Sequence, residues 1–534
     1  MRNRLAGTLL LLFVFLCTSW AQTSGLRKMI DLSGTWSFAL DPHGKGEQEK
    51  LWNMDFAETV TLPGTTDSNR KGIENTNKSE TTYLSRYYKY EGAAWYSRNI
   101  EIPADWKEKH IVLFLERTRP TTVWIDGREV GKCNYLSTPQ EFNLTHFLAP
   151  GSHKLTIRGD NGKSIPGQIR SSSHACTEST QTNWNGIIGR MELFIESIQA
   201  FPQVEDRSVK VKITLSNSSG IGGKKLQLSA SAFNTAKKHK ARSAEYNLKE
   251  GSKEYEFTYQ LGDNAVLWSD LQPALYQLKA EINGIDEKTV RFGLRDFKTE
   301  ETHFTINGAK TFLRGKHDAC VFPLTGHTAM DLEQWRRYFR ICKEYGLNHC
   351  RFHSWCPPAA CFEAADLEGI YLQPELPIWG GFKKESAELM DFLMKDGENI
   401  MREYSNHASF VLFALGNELG GDIDVMKEFV DCFRSIEPRH LYTYGSNIFL
   451  GSRGHIPGED FLVTCRVGSG EGYSTHARAS FSFADAEEGG YLNNTYPNSV
   501  MNFDEALEKS PVPVIGHETG QFQTYPNYEE MKKY

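Results

Sequence analysis

Two short stretches put a glutamate where an apolar run ends. Residues 410–421 read FVLFALGNELGG, an apolar run from Phe410 to Leu415 followed by Gly416, Asn417 and Glu418. Residues 513–518 read PVIGHE, a second apolar run closed by His517 and Glu518. An amide and a carboxylate are among the costliest groups to bury, so runs that end on them end at a surface or in a site. Two carboxyl groups that face one another can split a glycosidic bond. One protonates the leaving oxygen and the other attacks the anomeric carbon.

The elements that would bring them together are legible after about Lys298, where strands and helices alternate. TFLRG (311–315), NHCRFH (348–353), IYLQPE (370–375), the 410–415 run, LYTYGS (441–446), FLVTCR (461–466) and PVIGHE read as strands. DLEQWRRYFRICKEYG (331–346) reads as an amphipathic helix, with Leu332, Trp335, Phe339 and Cys342 on one face and Gly346 as its stop. Further helices are expected near 358–368, over roughly 386–403, and over 422–438, where Pro438 ends the last. This alternation predicts a (β/α)8 TIM barrel. NYEEMKK (527–533) reads as the opening of the helix after the seventh strand. The expectation is therefore a barrel lacking its eighth strand, in a C-terminally truncated chain.

Side chains at the C-terminal ends of barrel strands face the active site. In order these are His317 and Asp318, Arg351 and His353, Glu375, Asn417 and Glu418, Ser446 and Asn447, Arg466, then His517 and Glu518. The fourth and seventh strands lie nearly opposite, so Glu418 and Glu518 can converge across the mouth. Plainer roles compete. A strand-end glutamate also serves as an ion-pair partner or at a helix start, and Glu375 fits that role. His317 and His353, each taken alone, read as satisfied polar residues. HETGQ (517–521) lacks the second histidine of an H-E-x-x-H zinc helix. Cys350, Cys356 and Cys361 do not have C-x2-C spacing. GSGEG (468–472) lacks the Lys-Ser/Thr ending of a phosphate loop and reads as a plain loop. Neither a metal nor a cofactor is expected.

The first half of the chain has a different grammar. From Asp31 to about Ile198, WYSRNIEIP (95–103), HIVLFLE (110–116), TTVWIDGREVG (121–131) and HKLTIRGDN (153–161) are short strands, with a tight turn at Asp126-Gly127. They predict a β-sandwich. From Phe201 to about Phe297, strands such as KLQLSASAF and YEFTYQL continue without a good helix. That stretch reads as an immunoglobulin-like sandwich acting as a spacer.

Composition fits a globular chain of about three domains: 534 residues, 39% hydrophobic, 24% charged, 12% aromatic. A net charge of −7 argues against a nucleic-acid partner. Arg2 and Arg4, the apolar stretch Leu5 to Leu16, and Ser19-Trp20-Ala21 before Gln22 read as an export signal over residues 1–21. The stretch is too short for a membrane span, and Leu16 before Cys17 is the wrong size for a lipoprotein site. The expected location is periplasmic or secreted. Ten cysteines become nine after cleavage, an odd number, and buried free thiols are expected.

The domain order and the motifs resemble glycoside hydrolase family 2, the β-galactosidases, β-glucuronidases and β-mannosidases. WYSRNIEIP, VWIDGREVG and WNGIIGRMEL (184–193) look like its N-terminal sugar-binding jelly roll. LRGKHD (313–318), RFHSW (351–355), GNE (416–418) and HETG (517–520) look like its barrel motifs. The resemblance implies a jelly roll over 22–200, an immunoglobulin-like sandwich over 201–298 and a catalytic barrel over 299–534. It implies a retaining, exo-acting β-galactosidase-like enzyme, with Glu418 as acid/base and Glu518 as nucleophile, their carboxyls about 5–5.5 Å apart. It further implies a raised pKa for Glu418. Asn417 would hold the sugar 2-hydroxyl. Arg351, His353, His517, Asp318 and Glu375 would line the sugar site, and Trp355 or Trp379 would offer a stacking face. The expected partner is a carbohydrate, with oligomerisation open. Glucuronides and mannosides stay open as substrates. So does a non-catalytic role for a barrel that does not close, as a carbohydrate-binding module.

Overall fold

The computed structural model describes residues 28–77, 79, 86–195, 201–202, 207–215, 222–235, 242–252, 254–283, 286–451, 454–464, 510–518 and 527–533. The export signal, the 468–472 loop and Arg466 lie outside these residues.

Alternation of apolar and polar residues along each strand gives the first unit two facing sheets. One runs, in order, Arg128–Cys133, Thr121–Ile125, Gly151–Asp160, Ala93–Ile102, Gly34–Asp41 and Glu58–Leu62. The other runs Met29–Asp31, Met191–Ile195, Ile111–Leu115 and Gln140–Asn143. Trp36, Tyr96, Leu113, Leu115 and Ile157 fill the space between them. The hairpin turns where expected, with Asp126 at φ 48° and Gly127 at φ 78°. The second unit is a smaller sandwich of a three-stranded and a four-stranded antiparallel sheet, closed around Val211, Leu228, Tyr259 and Leu278.

A three-stranded meander, Phe297–Glu300, His303–Ile306 and Ala309–Thr311, leads into the third unit. There, strands β1 (Gly315–Asp318), β2 (His349–Phe352), β3 (Tyr371–Gln373), β4 (Leu412–Ala414), β5 (Leu441–Thr443), β6 (Leu462–Thr464) and β7 (Val514–Gly516) follow one another. Each neighbouring pair is joined by parallel pairing or a parallel bridge. Helices α1 (Leu332–Glu344), α2 (Ala359–Glu368), α3 (Ala387–Tyr404) and α4 (Ile423–Ile436) fall between them. Their inward faces meet the strands in one apolar core that includes Trp335, Phe339, Leu372, Leu393, Phe413 and Phe433. Asp331 caps α1 by accepting from the Gln334 amide.

The first barrel strand is shifted from the expected position. Ala309–Thr311 pairs antiparallel with His303–Ile306, and Phe312 is left exposed, so the barrel strand starts at Gly315. His317 and Asp318 are therefore in the strand rather than past it. The stretch after Glu418 holds an additional element: Asn417–Gly421 is a short strand beside Trp379–Phe382, and α4 follows from Ile423, where the helix is expected. Gly421 permits that pairing, since a Cβ there would lie 2.1 Å from Phe382 O. The 527–533 segment contains a 3-10 turn, Tyr528–Lys533. Among the described residues, eight cysteines are free, six of them buried.

Hydrogen bonds tie both sandwiches to the third unit. Arg295, at the end of the second sandwich, donates to Ala408 O at 3.1 Å and Phe410 O at 2.6 Å, at the root of β4. Asp396 of α3 accepts from the Ser137 hydroxyl at 2.6 Å, and Arg117 donates to Cys356 O at 3.3 Å. These bonds fix the first sandwich against the third unit.

Candidate active site

The site forms where β1 to β4 and β7 end. Gly416, at φ 145°, lets the chain turn sharply after β4, because a Cβ there would lie 2.6 Å from Ile378 O. Asn417 then pairs with Trp379 and bridges to Ser446, which locks its backbone. Glu418 follows at φ 44° and donates its amide to Ser446 O at 2.7 Å. Glu518 has the same left-handed geometry, φ 49°. Non-glycine residues seldom adopt it, and it aims both carboxyls out of the strand ends.

Arg351 is the hub. Its Nε donates to Glu375 Oε1 at 2.7 Å and its Nη2 to Asn417 Oδ1 at 2.6 Å. Its Nη1 lies 3.6 Å from Glu518 Oε1. Glu375 is fully buried and also accepts from Ser354 N at 2.7 Å and from the Ser446 hydroxyl. It holds Arg351 and does not reach the open mouth.

Three histidine Nε2 atoms surround the same Glu518 oxygen: His517 at 3.3 Å, His353 at 3.5 Å and His317 at 3.8 Å. Burial, then the Arg351 charge, lowers the pKa of His353 and of His517 well below the usual range. The same two causes lower His317 to about 3. At neutral pH these rings are uncharged and act through hydrogen bonds. His517 Nε2 also lies 3.1 Å from Asn417 Oδ1.

On the other side, the Trp379 indole donates to Glu418 Oε2 at 3.1 Å. Its ring meets His353 edge-on, centroids 4.9 Å apart. The first sandwich closes this wall. Ser173 donates to Ser354 O at 2.8 Å, His174 N donates to Ser354 Oγ at 3.0 Å, and the His174 ring lies edge-on to His353 at 4.5 Å.

Besides Glu375, two expected site residues are placed elsewhere. Trp355 is 2% exposed, packed among Trp335, Phe352 and Phe322, so it cannot present a face to a sugar. Asp318 is buried and accepts from Tyr338 at 2.6 Å and Cys320 N at 2.9 Å, beneath the mouth. Ser446, expected at the end of the fifth strand, is in the site through Glu375 and the Glu418 amide. Sequence reasoning missed Ser354 and His174. Ser354 carries no signal beyond its strand-end position. His174 sits in SSSHACTES, a polar run that fits no sandwich strand.

His317, His353 and Glu518 bring ligand atoms within 4.8 Å of one another, a spacing that a cation could use. The fixed charge of Arg351, 3.6 Å from the same oxygen, opposes one there.

Residues 29–170 match the model of the glycosyl hydrolases family 2 sugar binding domain, and residues 193–295 that of glycosyl hydrolases family 2. A β-glucuronidase from Paenibacillus borealis is 24% identical over 460 residues, 78% of this chain and 73% of that protein. A β-galactosidase from Thermoanaerobacter pseudethanolicus is 24% identical over 65% of this chain and 48% of its own length. Two further relatives are matched over only 41% and 44% of their length. The apo β-glucuronidase from Ruminococcus gnavus superposes with a TM-score of 0.67 at 18% identity, covering 93% of this chain and 84% of that one. No helix among the described residues is long and apolar enough to cross a membrane.

Proposed function

We propose that this chain, which belongs to glycoside hydrolase family 2, removes terminal β-linked sugars with retention of configuration. The observation that carries the reading is the contrast between two carboxylates. The Glu518 oxygen is faced by Arg351 and three neutral histidines within 3.8 Å, and Glu418 is held by the Trp379 indole at the more open side.

In this account Glu518 Oε1 attacks the anomeric carbon and the bond to the leaving oxygen breaks. Glu418 gives that oxygen its proton. Water then attacks the glycosyl-enzyme, Glu418 takes the water's proton, and Glu518 is released. Asn417, fixed by Arg351, is placed to hold the 2-hydroxyl, a contact that strengthens as charge develops on the ring. Arg351 and the histidine N–H groups meet the remaining hydroxyls.

The sugar we favour is a β-galactoside, with β-glucuronides and β-mannosides as the alternatives to be separated. Turnover of nitrophenyl β-glycosides of all three sugars, by wild type, Glu418→Gln and Glu518→Gln, tests both points. The proposal requires release from at least one of them, lost in Glu518→Gln. Equal inertness of all three proteins, with sugar still bound, would instead make the chain a carbohydrate-binding protein. Export belongs to the proposal as well: protein recovered outside the cytoplasm should begin at Gln22, and recovery only from cytoplasm with Met1 in place would contradict it.

A further inference from the structure

Trp379 is 37% exposed, more than any other tryptophan among the described residues. A large aromatic face left open beside a reaction centre has either a ligand or a cost. Its backbone is clamped from a different domain. Gln168, in the short helix Gly167–Ser172 of the first sandwich, donates from Nε2 to Trp379 O at 3.2 Å and to Gly381 O at 2.9 Å. The Ser172 hydroxyl donates to Trp379 O at 3.3 Å. Trp379 also pairs with Asn417 in the small parallel sheet. His353 braces one edge of the ring, and His174 lies tilted against it at 6.2 Å. The ring is thus held in place before any substrate arrives, which lowers the entropic cost of stacking on it.

The indole N–H touches Glu418, and a general acid must stand beside the glycosidic oxygen that it protonates. A ring bonded to that acid stands on the leaving-group side. Resting on the proposed glycosidase reading, we propose that Trp379 is the platform for the aglycone, and that the 167–174 strap of the first sandwich sets its position. The ligand class is a leaving group with a flat apolar face, either an aryl ring or the C–H face of a second pyranose.

The test is calorimetric binding of 1-thio-β-glycosides, which resist hydrolysis, carrying a methyl, phenyl or glucosyl aglycone on each candidate sugar. In wild type, phenyl or glucosyl should bind about tenfold more tightly than methyl, and which of the two gains tells the source of the flat face. Trp379→Phe keeps a face and loses the N–H, so the gain should survive. Trp379→Ala should abolish it, and Gln168→Ala should reduce it while methyl affinity stays unchanged. If methyl thioglycosides bind and the gain is absent, or is untouched by Trp379→Ala, the platform proposal falls while the glycosidase reading stands. If Trp379→Phe loses the gain as fully as Trp379→Ala, the indole hydrogen bond and not the face is responsible, and the platform is again refuted. If no thioglycoside binds at all, the glycosidase reading fails and takes the platform with it.

Discussion

Arg351 Nη2 donates to Asn417 Oδ1 at 2.6 Å, and this bond joins the two walls of the site. Asn417 precedes Glu418 in sequence, and Arg351 stands beside Glu518. In the proposed mechanism one guanidinium therefore sets both the 2-hydroxyl contact and the charge next to the nucleophile.

Lysine cannot reproduce that fork. Arg351→Lys should lower kcat/KM by about 100-fold or more, with the loss mainly in kcat, because the contacts it sets matter most in the transition state. Glu375→Gln should act through Arg351: it breaks a buried ion pair and should cost about 3 kcal/mol of stability, read as a lower denaturation midpoint. Wild-type kcat/KM in the lysine variant would contradict this role.

The left-handed backbone at Glu418 and Glu518 costs stability, which the proposed catalytic roles would explain. A left-handed non-glycine residue costs about 1–2 kcal/mol, and the extra entropy of glycine takes back about 0.5–1 kcal/mol. Glu418→Gly should therefore leave Tm unchanged or slightly raised while turnover falls by about 10²–10⁴-fold. Gly416→Ala should do the opposite to stability. Its φ of 145° and the 2.6 Å approach to Ile378 O admit no Cβ without a shift, so a loss of about 2 kcal/mol is expected. Calorimetric scans of both variants check the pair, and a more stable Gly416→Ala would refute the geometry.

Acid should unfold the protein from about pH 6.5 downward, earlier than carboxylates alone require. Burial lowers His349 to about 3 and lowers His353, His440 and His517 well below the usual range. These rings stay neutral in the fold. Below about pH 6.5 the unfolded chain takes up protons that the folded chain does not, so stability is full above that pH and is lost as pH falls toward the folded pKa values. His407 opposes the trend: although burial lowers its pKa, the Asp366 carboxylate overrides that and raises it, but it is one group against seven, since burial also lowers His174, His317 and His327. Tm measured from pH 7 to 4.5 should decline, less steeply in His440→Gln. A flat profile would contradict the burial of neutral histidines.

The sequence carried the sandwiches and the strand–helix alternation because period-2 and period-3.6 patterns encode which face is buried. Glu418, Glu518, Arg351 and His353 were legible for a related reason, since a polar group at the end of an apolar run has few other places to go. The start of β1 was misread because TFLRG is as apolar as a barrel strand, and only the antiparallel partner at His303–Ile306 decides its use. Trp355 and Trp379 were indistinguishable in sequence, since exposure of a tryptophan depends on what packs around it. The reach of His174 and Gln168 into another unit left no trace, because contacts between distant segments have no local pattern.

The central claim is that Glu518 forms a covalent bond to the sugar. A 2-deoxy-2-fluoro β-glycosyl fluoride of the sugar that is turned over slows both steps and lets the intermediate accumulate. Mass spectrometry of the digested protein should find one glycosyl adduct, on the peptide containing Glu518, and none in Glu518→Gln. An adduct on a different carboxylate, or turnover with inverted configuration and no adduct, would contradict the account.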